Sequence, residues 1–262
     1  NCAFDTEGSR ATSVTGANHG LAGSLVPETR PMSNHWRPRY FSVFASILGA
    51  ATSLRTFGDS YDPESRDDLV RTIEDEAERL DRFVSNLLDV TRLEGGRLDI
   101  RKELNDAEEI IGGALQRAGK VLAGHRIEVD LAPDLPMLEL DGVLLEQAIF
   151  NLLDNAAKYA PPGSAVCVRA RRADDETVID VIDEGPGIPR DDLERIFDKF
   201  YRIPTADRQR AGTGLGLAIS RGFIEAMGGR LAASNRTDRS GAVFTITFPS
   251  PDEGASEKTA DR

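Results

Sequence analysis

Two glycine-rich segments constrain the fold of this chain more than any other feature. "DEGPGIP" (183–189) follows an apolar run that ends at Ile182, and "AGTGLGLAIS" (211–220) leads into an amphipathic stretch. The first predicts a strand that ends in an acidic side chain, Asp183, followed by Gly185 and Gly187, where backbone can come close to a flat ring. A carboxylate there can accept a hydrogen bond from an exocyclic amine such as N6 of adenine. In the second segment Gly212, Gly214 and Gly216 stand directly before a predicted helix, whose free N–H groups can cradle phosphate. The GxGxG spacing without a surrounding βαβ unit excludes the dinucleotide-binding fingerprint. Taken singly, each segment is also an ordinary strand end or helix start.

A third segment lies upstream. In "NLLDNAAKY" (151–159) Asn151 and Asn155 are four residues apart on one helix face, with Lys158 and Tyr159 a turn further on. Carboxamide oxygens are hard ligands suited to Mg²⁺, which keeps several waters and shares itself with substrate phosphates. A lysine beside them supplies a point charge for those phosphates.

The rest of the chain supplies a scaffold. Phe44, Ile47, Leu48, Ala51 and Leu54 recur at helical spacing, Gly58 and Pro63 break the pattern, and Leu69, Ile73, Leu80, Phe83, Leu87 and Val90 mark a second, longer helix. Two amphipathic helices with a short connection predict a helical hairpin. Such a hairpin buries only one seam, so a second copy completing a four-helix bundle is expected; in the competing arrangement the stripe packs on the following domain. Beyond the glycine pair of "LEGGRL", strands are predicted over 98–104, 126–131, 137–141, 165–172, 177–183, 230–235 and 242–249, and helices over 106–122, 142–160 and 215–228. The expected fold class is α+β: a dimerisation hairpin at 37–94 followed by an α/β-sandwich domain at 95–250. Residues 1–36 and 251–262 are predicted to be disordered.

Composition narrows the function. With 44 acidic and 32 basic residues the chain carries a formal charge of −12, which argues against nucleic acid as a partner. Its longest apolar run, 41–51, falls well short of the ~20 residues needed to span a bilayer. The chain as given is therefore expected to be soluble and cytoplasmic. Cys2 and Cys167 form no metal-ligand spacing.

Together with "IFDKFYR" (196–202), the three segments resemble, in order and spacing, the ATP-binding domain shared by sensor histidine kinases, gyrase-type ATPases and their relatives. That resemblance implies Mg²⁺ at Asn155 and Asn151 and adenine at Asp183, with Gly185 and Gly187 beside the ring. It implies phosphate or sugar contacts from Lys158 and Tyr159, and a phosphate end shaped by Gly212, Thr213, Gly214, Leu215 and Gly216. Phe197 and Phe200 would anchor a polar lid carrying Arg202, Arg208 and Arg210. Hydrolytic relatives carry a glutamate base one turn ahead of the magnesium asparagine; here Asn151 stands there and Glu146 lies five residues further back, so the chain resembles the phosphotransferases.

Over residues 45–249 the resemblance narrows to the osmosensitive potassium-transport sensor kinases of the KdpD type, carried by "SILGAATSLR", "NLLDVTRLEGGRLDIRKEL" and "GLAISRGFIEAMGG". It implies ATP and Mg²⁺ as cofactors, a second copy and a response-regulator receiver domain as partners, and membrane attachment only through parts that have no counterpart here. That family reads Ser-His-Asp-Leu-Arg-Thr-Pro-Leu before Ala-Ser-Ile-Leu. Counting back from Ala45, Pro38 falls at the phosphoacceptor histidine, Arg39 at its acidic neighbour, Ser42 at the threonine and Val43 at the helix-kinking proline. Proline offers no nucleophile, and His19, His35 and His125 read as structural or solvent-facing. Either the residues before about Phe44 depart from the family's own sequence, or the chain is an acceptor-less form that acts on a partner in trans or regulates by binding alone. A hydrolytic ATPase is the third reading.

Overall fold

The computed structural model describes residues 37–203 and 212–249, and the backbone alone for 37–42. The disorder expected at 1–36 and 251–262, Cys2, His19, His35, Arg208 and Arg210 lie outside the described residues. Helix α1 (Arg37–Phe57) and helix α2 (Pro63–Glu94) form the hairpin, joined through a short 3₁₀ turn at Gly58–Ser60. Helix α1 starts seven residues before the apolar periodicity does. Pro38 falls in its first turn, where a missing N–H costs no hydrogen bond and the fixed φ suits a helix. Helix α2 starts with Pro63 after Asp62, whose carboxylate accepts the N–H of Ser65 at 2.8 Å.

The buried face of α1 differs by one position from the predicted stripe. Val43 and Ala50 are buried and Ile47 and Leu54 half-buried, whereas Phe44 and Leu48 are 57% and 69% exposed. The apolar arc of α1 is wider than one partner helix can cover, and α2 takes the edge that holds Val43. Helix α2 in turn gives part of its seam to the α/β unit: Val90, Phe83 and Leu93 join the main core, while Val84, Leu87 and Leu88 stay exposed. Part of the hairpin's apolar surface is thus covered by the following domain, as in the second arrangement weighed from sequence, and the rest is left exposed.

After α2 come β1 (Glu103–Asn105), α3 (Ala107–Leu122), β2 (Arg126–Leu131), β3 (Leu138–Leu140), α4 (Gly142–Tyr159), β4 (Ala165–Ala173), β5 (Glu176–Ile182), α5 (Gly216–Ala226), β6 (Arg230–Asn235) and β7 (Ala242–Pro249). Five strands form one sheet in the order β2-β4-β5-β7-β6, parallel only between β2 and β4. Helices α3, α4 and α5 cover one face, and Leu145, Ile149, Leu152, Ile179, Ile219, Phe223, Phe244 and Ile246 fill the interface between helices and sheet. The strand predicted over 98–104 is shorter than expected. Only Glu103–Asn105 finds a partner, β3, because β3 itself is three residues long. Leu98 and Ile100 instead pack their side chains on the core from an unpaired segment.

Helix α4, which carries the asparagines, is fixed at its start by Asp141. That carboxylate accepts the N–H groups of Val143 (3.1 Å), Leu144 (3.2 Å) and, from the preceding segment, Arg101 (3.1 Å). Asp141→Ala leaves all three donors without this acceptor, and is expected to cost about 1–2 kcal/mol, read as a lower denaturant midpoint at unchanged slope.

Candidate functional site

Helix α4 turns one face to the sheet and its polar face to a cleft of about 1160 Å³, above the ~300–1,000 Å³ usual for small-ligand sites. Asn151, Asn155, Lys158, Tyr159, Asp183, Gly187, Arg202, Gly212, Thr213, Gly214 and Gly216 all line it. Residues from four distant stretches of sequence are thereby brought to one wall. The remaining predicted residues stand behind or beside that wall. Gly185 follows Asp183 in the loop, Leu215 is fully buried under the start of α5, and Phe197 and Phe200 do not reach the cleft.

Asp183 sits at the end of β5 and is 3% exposed. Its Oδ1 accepts the N–H of Gly185 at 2.7 Å and of Ala242 at 3.2 Å. Both bonds fall on one oxygen, which leaves Oδ2 without a protein donor among the described residues. Burial raises the carboxyl's pKa above its ordinary value, opposed by those two N–H groups and by the nearby Arg236 guanidinium. A half-satisfied, desolvated carboxylate on a cleft wall is a strong acceptor for an N–H group of a ligand.

The two asparagines are not equivalent. Asn151 ties α4 to α5: its Nδ2 donates to Gly216 O (3.4 Å) and Ser220 Oγ (3.3 Å), and its Oδ1 accepts from Gln147 Nε2 at 3.2 Å. Asn155 lines the same cleft with no hydrogen-bond partner for its side chain among the described residues. Lys158, one turn on, is held by the carboxylate of Asp154. The carboxamide oxygen of Asn155 can ligate a hard cation, and the Lys158 ammonium one turn on can pair with a phosphate that shares that cation.

Helix α5 opens on the cleft through Gly214 and Gly216. Thr213 Oγ1 accepts the N–H of Leu215 at 3.2 Å, which sets the turn into the helix. Phe200 occupies the left-handed region at φ 65° and donates its N–H to Gly214 O at 2.8 Å, so 200 and 214 are stitched together. Phe197 is buried instead beneath the guanidinium of Arg221, 4.9 Å from its ring centroid. Glu146 pairs with Arg117 of α3 at 3.9 Å and is not among the residues that line the cleft, although Arg117 is. His125, just before β2, sets Nε2 against Ala157 O at 3.2 Å.

The opposite wall of the cleft carries no motif. Arg79, Arg82, Asn86 and Asp89 of α2 line it together with Val43 of α1. The hairpin also grips the α/β unit directly: Lys199 pairs with Glu94 at 2.6 Å, Lys120 with Glu78 at 3.3 Å, and Leu93 lies so close to Gly222 that a β-carbon there would stand 2.7 Å from its Cδ1. Among the described residues no helix is long and apolar enough to cross a membrane.

Comparison with known proteins agrees with this architecture. Residues 140–252 match the family described as "Histidine kinase-, DNA gyrase B-, and HSP90-like ATPase". The chain is 37% identical over 209 residues to the sensor protein KdpD of Clostridium acetobutylicum, covering 79% of this chain and 23% of that one. It is 31% identical to the mycobacterial sensor histidine kinase MprB, whose solved structure covers 57% of this chain and is itself covered to 97%, at a TM-score of 0.50. The Acinetobacter baumannii histidine kinase AdeS shares the fold over 81% of this chain and 98% of its own, with a TM-score of 0.63 at 24% identity. The chain belongs to the sensor histidine kinases, with a kinase core of the KdpD type that includes the family's ATP-binding domain. It spans about a quarter of the length of the curated KdpD relatives it matches.

Proposed function

We propose that this chain is the kinase core of a two-component sensor, binding Mg-ATP in the cleft between α2 and α4 and donating the γ-phosphoryl group to a histidine. From that histidine the group would pass to an aspartate on a response-regulator receiver domain. The observation that carries the reading is the convergence of Asp183, Asn155, Lys158 and the start of α5 on one wall, with the hairpin forming the other. Asp183 Oδ2 accepts the adenine amine, Asn155 with Asn151 beside it holds the ion, and Lys158 meets phosphate oxygens. The N–H groups at the start of α5 face the same charge. Tyr159 and Arg202 complete the walls around the nucleotide. A Mg²⁺ ion held by Asn155 would supply charge neutralisation for the phosphates during transfer.

Two further observations shape the reading. Glu146 is paired with Arg117 and does not line the cleft, which favours transfer to a side chain over transfer to water. The exposed Phe44 and Leu48 of α1 and Leu87 and Leu88 of α2 form an apolar face fit for a second copy of the hairpin, giving a homodimer. A homodimer of this chain carries proline at position 38 in both copies, so transfer to histidine would take place in a mixed dimer with a subunit that has the acceptor. A second reading, a nucleotide-binding dimerisation partner that performs no transfer, rests on that same proline. The acidic surface argues against nucleic acid, and membrane attachment would come through parts not in this chain. Potassium or osmotic sensing is the signal that the resemblance read in the sequence implies.

The test uses γ-labelled ATP with Mg²⁺ and the purified chain, alone and mixed with a Pro38→His version that also carries Asn155→Ala. Label confined to the second protein is the expected result. Absence of label on both, with nucleotide binding and mixed dimers independently verified, would leave the regulator reading in place of the kinase one.

A further inference from the structure

The Asp183–Ile188 loop is held from behind by the turn between β6 and β7, residues 236–241, in a stretch that contributes none of the motif residues. Asn235, the last residue of β6, grips Ile188 with both ends of its amide: the Ile188 N–H donates to Asn235 Oδ1 at 2.7 Å, and Asn235 Nδ2 donates to Ile188 O at 2.7 Å. Only this orientation of the amide satisfies both groups. The grip needs the glycine before it, because a β-carbon on Gly187 would lie 2.8 Å from Asn235 Oδ1. Gly187 also takes φ 78°, which a larger residue adopts at a cost. At the other end of the loop Ser240 Oγ donates to Gly185 O at 2.7 Å. Next to it, Ala242 exchanges two bonds with Asp183, N–H to Oδ1 at 3.2 Å and carbonyl to the Asp183 N–H at 3.0 Å.

These bonds hold Gly185, Ile188 and Asp183 from a single turn, and none of them comes from α4 or α5. A loop whose carbonyls and N–H groups are fixed at both ends presents Asp183 Oδ2 at one distance and angle. If the loop could shift by an ångström, the carboxylate would still be present but would no longer discriminate between purines by what stands at position 6.

We infer that Asn235 is a positioning residue for base recognition, acting with Ser240 through the Gly185–Ile188 loop to set how strictly the site selects a 6-amino purine over a 6-oxo purine. The inference rests on the reading of the cleft as an ATP site. Asn235 touches no nucleotide; its effect passes through Ile188 and Asp183. Thr237, exposed in the same turn, serves as the control position.

The experiment measures dissociation constants of the whole chain for ATP and for inosine triphosphate, each with Mg²⁺, in the parent, Asn235→Ala, Ser240→Ala and Thr237→Ala, with thermal unfolding of each. In the parent ATP binds tighter than the 6-oxo nucleotide. Asn235→Ala is expected to weaken ATP about tenfold, the loss of two hydrogen bonds, while the 6-oxo nucleotide changes by less, so that the ratio falls. Ser240→Ala moves the ratio the same way by a smaller factor, and Thr237→Ala leaves it alone. A variant that is merely less well folded loses both nucleotides by one factor and keeps the ratio. A retained ratio in Asn235→Ala therefore overturns the inference, and should that variant fail to fold, a retained ratio in Ser240→Ala does the same. A parent protein that binds neither nucleotide, or shows no preference between them, removes the ATP reading itself, and that failure is visible before any variant is measured.

Discussion

Asp183→Asn is expected to weaken Mg-ATP binding by one to two orders of magnitude, about 1.5–3 kcal/mol for a hydrogen bond to a charged acceptor, while leaving the protein at least as stable as its parent. The two effects separate because the structural bonds and the proposed base contact fall on different oxygens of the carboxylate. Its Oδ1 accepts from Gly185 and Ala242, which an amide oxygen does equally well. Its Oδ2 takes no protein donor among the described residues, and an amide nitrogen in its place would set a second donor against the adenine amine of the proposed contact. The stability side comes from burial: desolvation raises the folded-state pKa above the ordinary carboxylate value of 3.8. A group shifted upward contributes stability that is full below its unfolded pKa and is lost as pH rises through the folded one. At neutral pH the parent therefore carries a buried charge that the amide lacks. Denaturant unfolding against pH should show the parent losing stability relative to the variant as pH rises out of the carboxylate range, and converging with it in acid. Nucleotide affinity of the parent should fall on acidification at a higher pH than an exposed aspartate would give. A variant that binds ATP as tightly as the parent would remove Asp183 from base recognition.

The largest loss of stability is expected at Gly241→Ala. Gly241 takes φ 147°, and a β-carbon on it would stand 2.1 Å from the carbonyl oxygen of Asp183 and 2.5 Å from Cδ of Arg236. Neither neighbour can retreat cheaply. The first is backbone, held by the pairing of Asp183 with Ala242, and the second belongs to a side chain tied to Asp238 at 2.8 Å. Overpacking against backbone, added to a conformation that L-residues avoid, puts the cost at about 3–5 kcal/mol. The same one-methyl change at Gly119, exposed in α3 with nothing within 4 Å of the added carbon, should stabilise by about 0.5–1 kcal/mol through helix propensity. Chemical denaturation of both variants checks the opposite signs. Gly241→Ala unfolding at the parent's midpoint would mean that the β6–β7 turn is free to move away from Asp183.

Much of the cleft lining was legible in the sequence because its residues sit in short, local patterns. The i, i+4 asparagines of α4, the strand-ending aspartate and the glycines before α5 each announce a backbone geometry together with a side-chain type. Strand and helix limits from residue 106 onward were legible for the same reason, with caps such as Asp106 and Asp141 beside periodic apolar runs. What stayed hidden depends on which of several equivalent surfaces meets which. The stripe Phe44-Ile47-Leu48-Ala51-Leu54 and the observed inner face Val43-Ile47-Ala50-Leu54 share residues and differ by a small rotation of α1, and periodicity cannot choose between them. Asn151 carries the same signature as Asn155, yet its amide is engaged by Gly216 and Ser220, 65 and 69 residues away. Asn235 and Ser240 read as unremarkable turn residues, since their partners at Ile188 and Gly185 lie 47 and 55 positions upstream.

Helix α2 is at once a wall of the cleft and a strap over α5, through Leu93 against Gly222 and Glu94 against Lys199. Those two roles place the strap and the cleft in one thermodynamic cycle. Whatever factor a bound nucleotide applies to the hold of α2 on the α/β unit, a force that lifts or rotates α2 must apply to nucleotide affinity, in the same size and with the reciprocal sense. The helix runs 32 residues from the hairpin turn to that strap, so both ends of the cycle lie on one element. To the extent that the two are coupled, displacing α2 and binding nucleotide would act on one and the same free-energy difference.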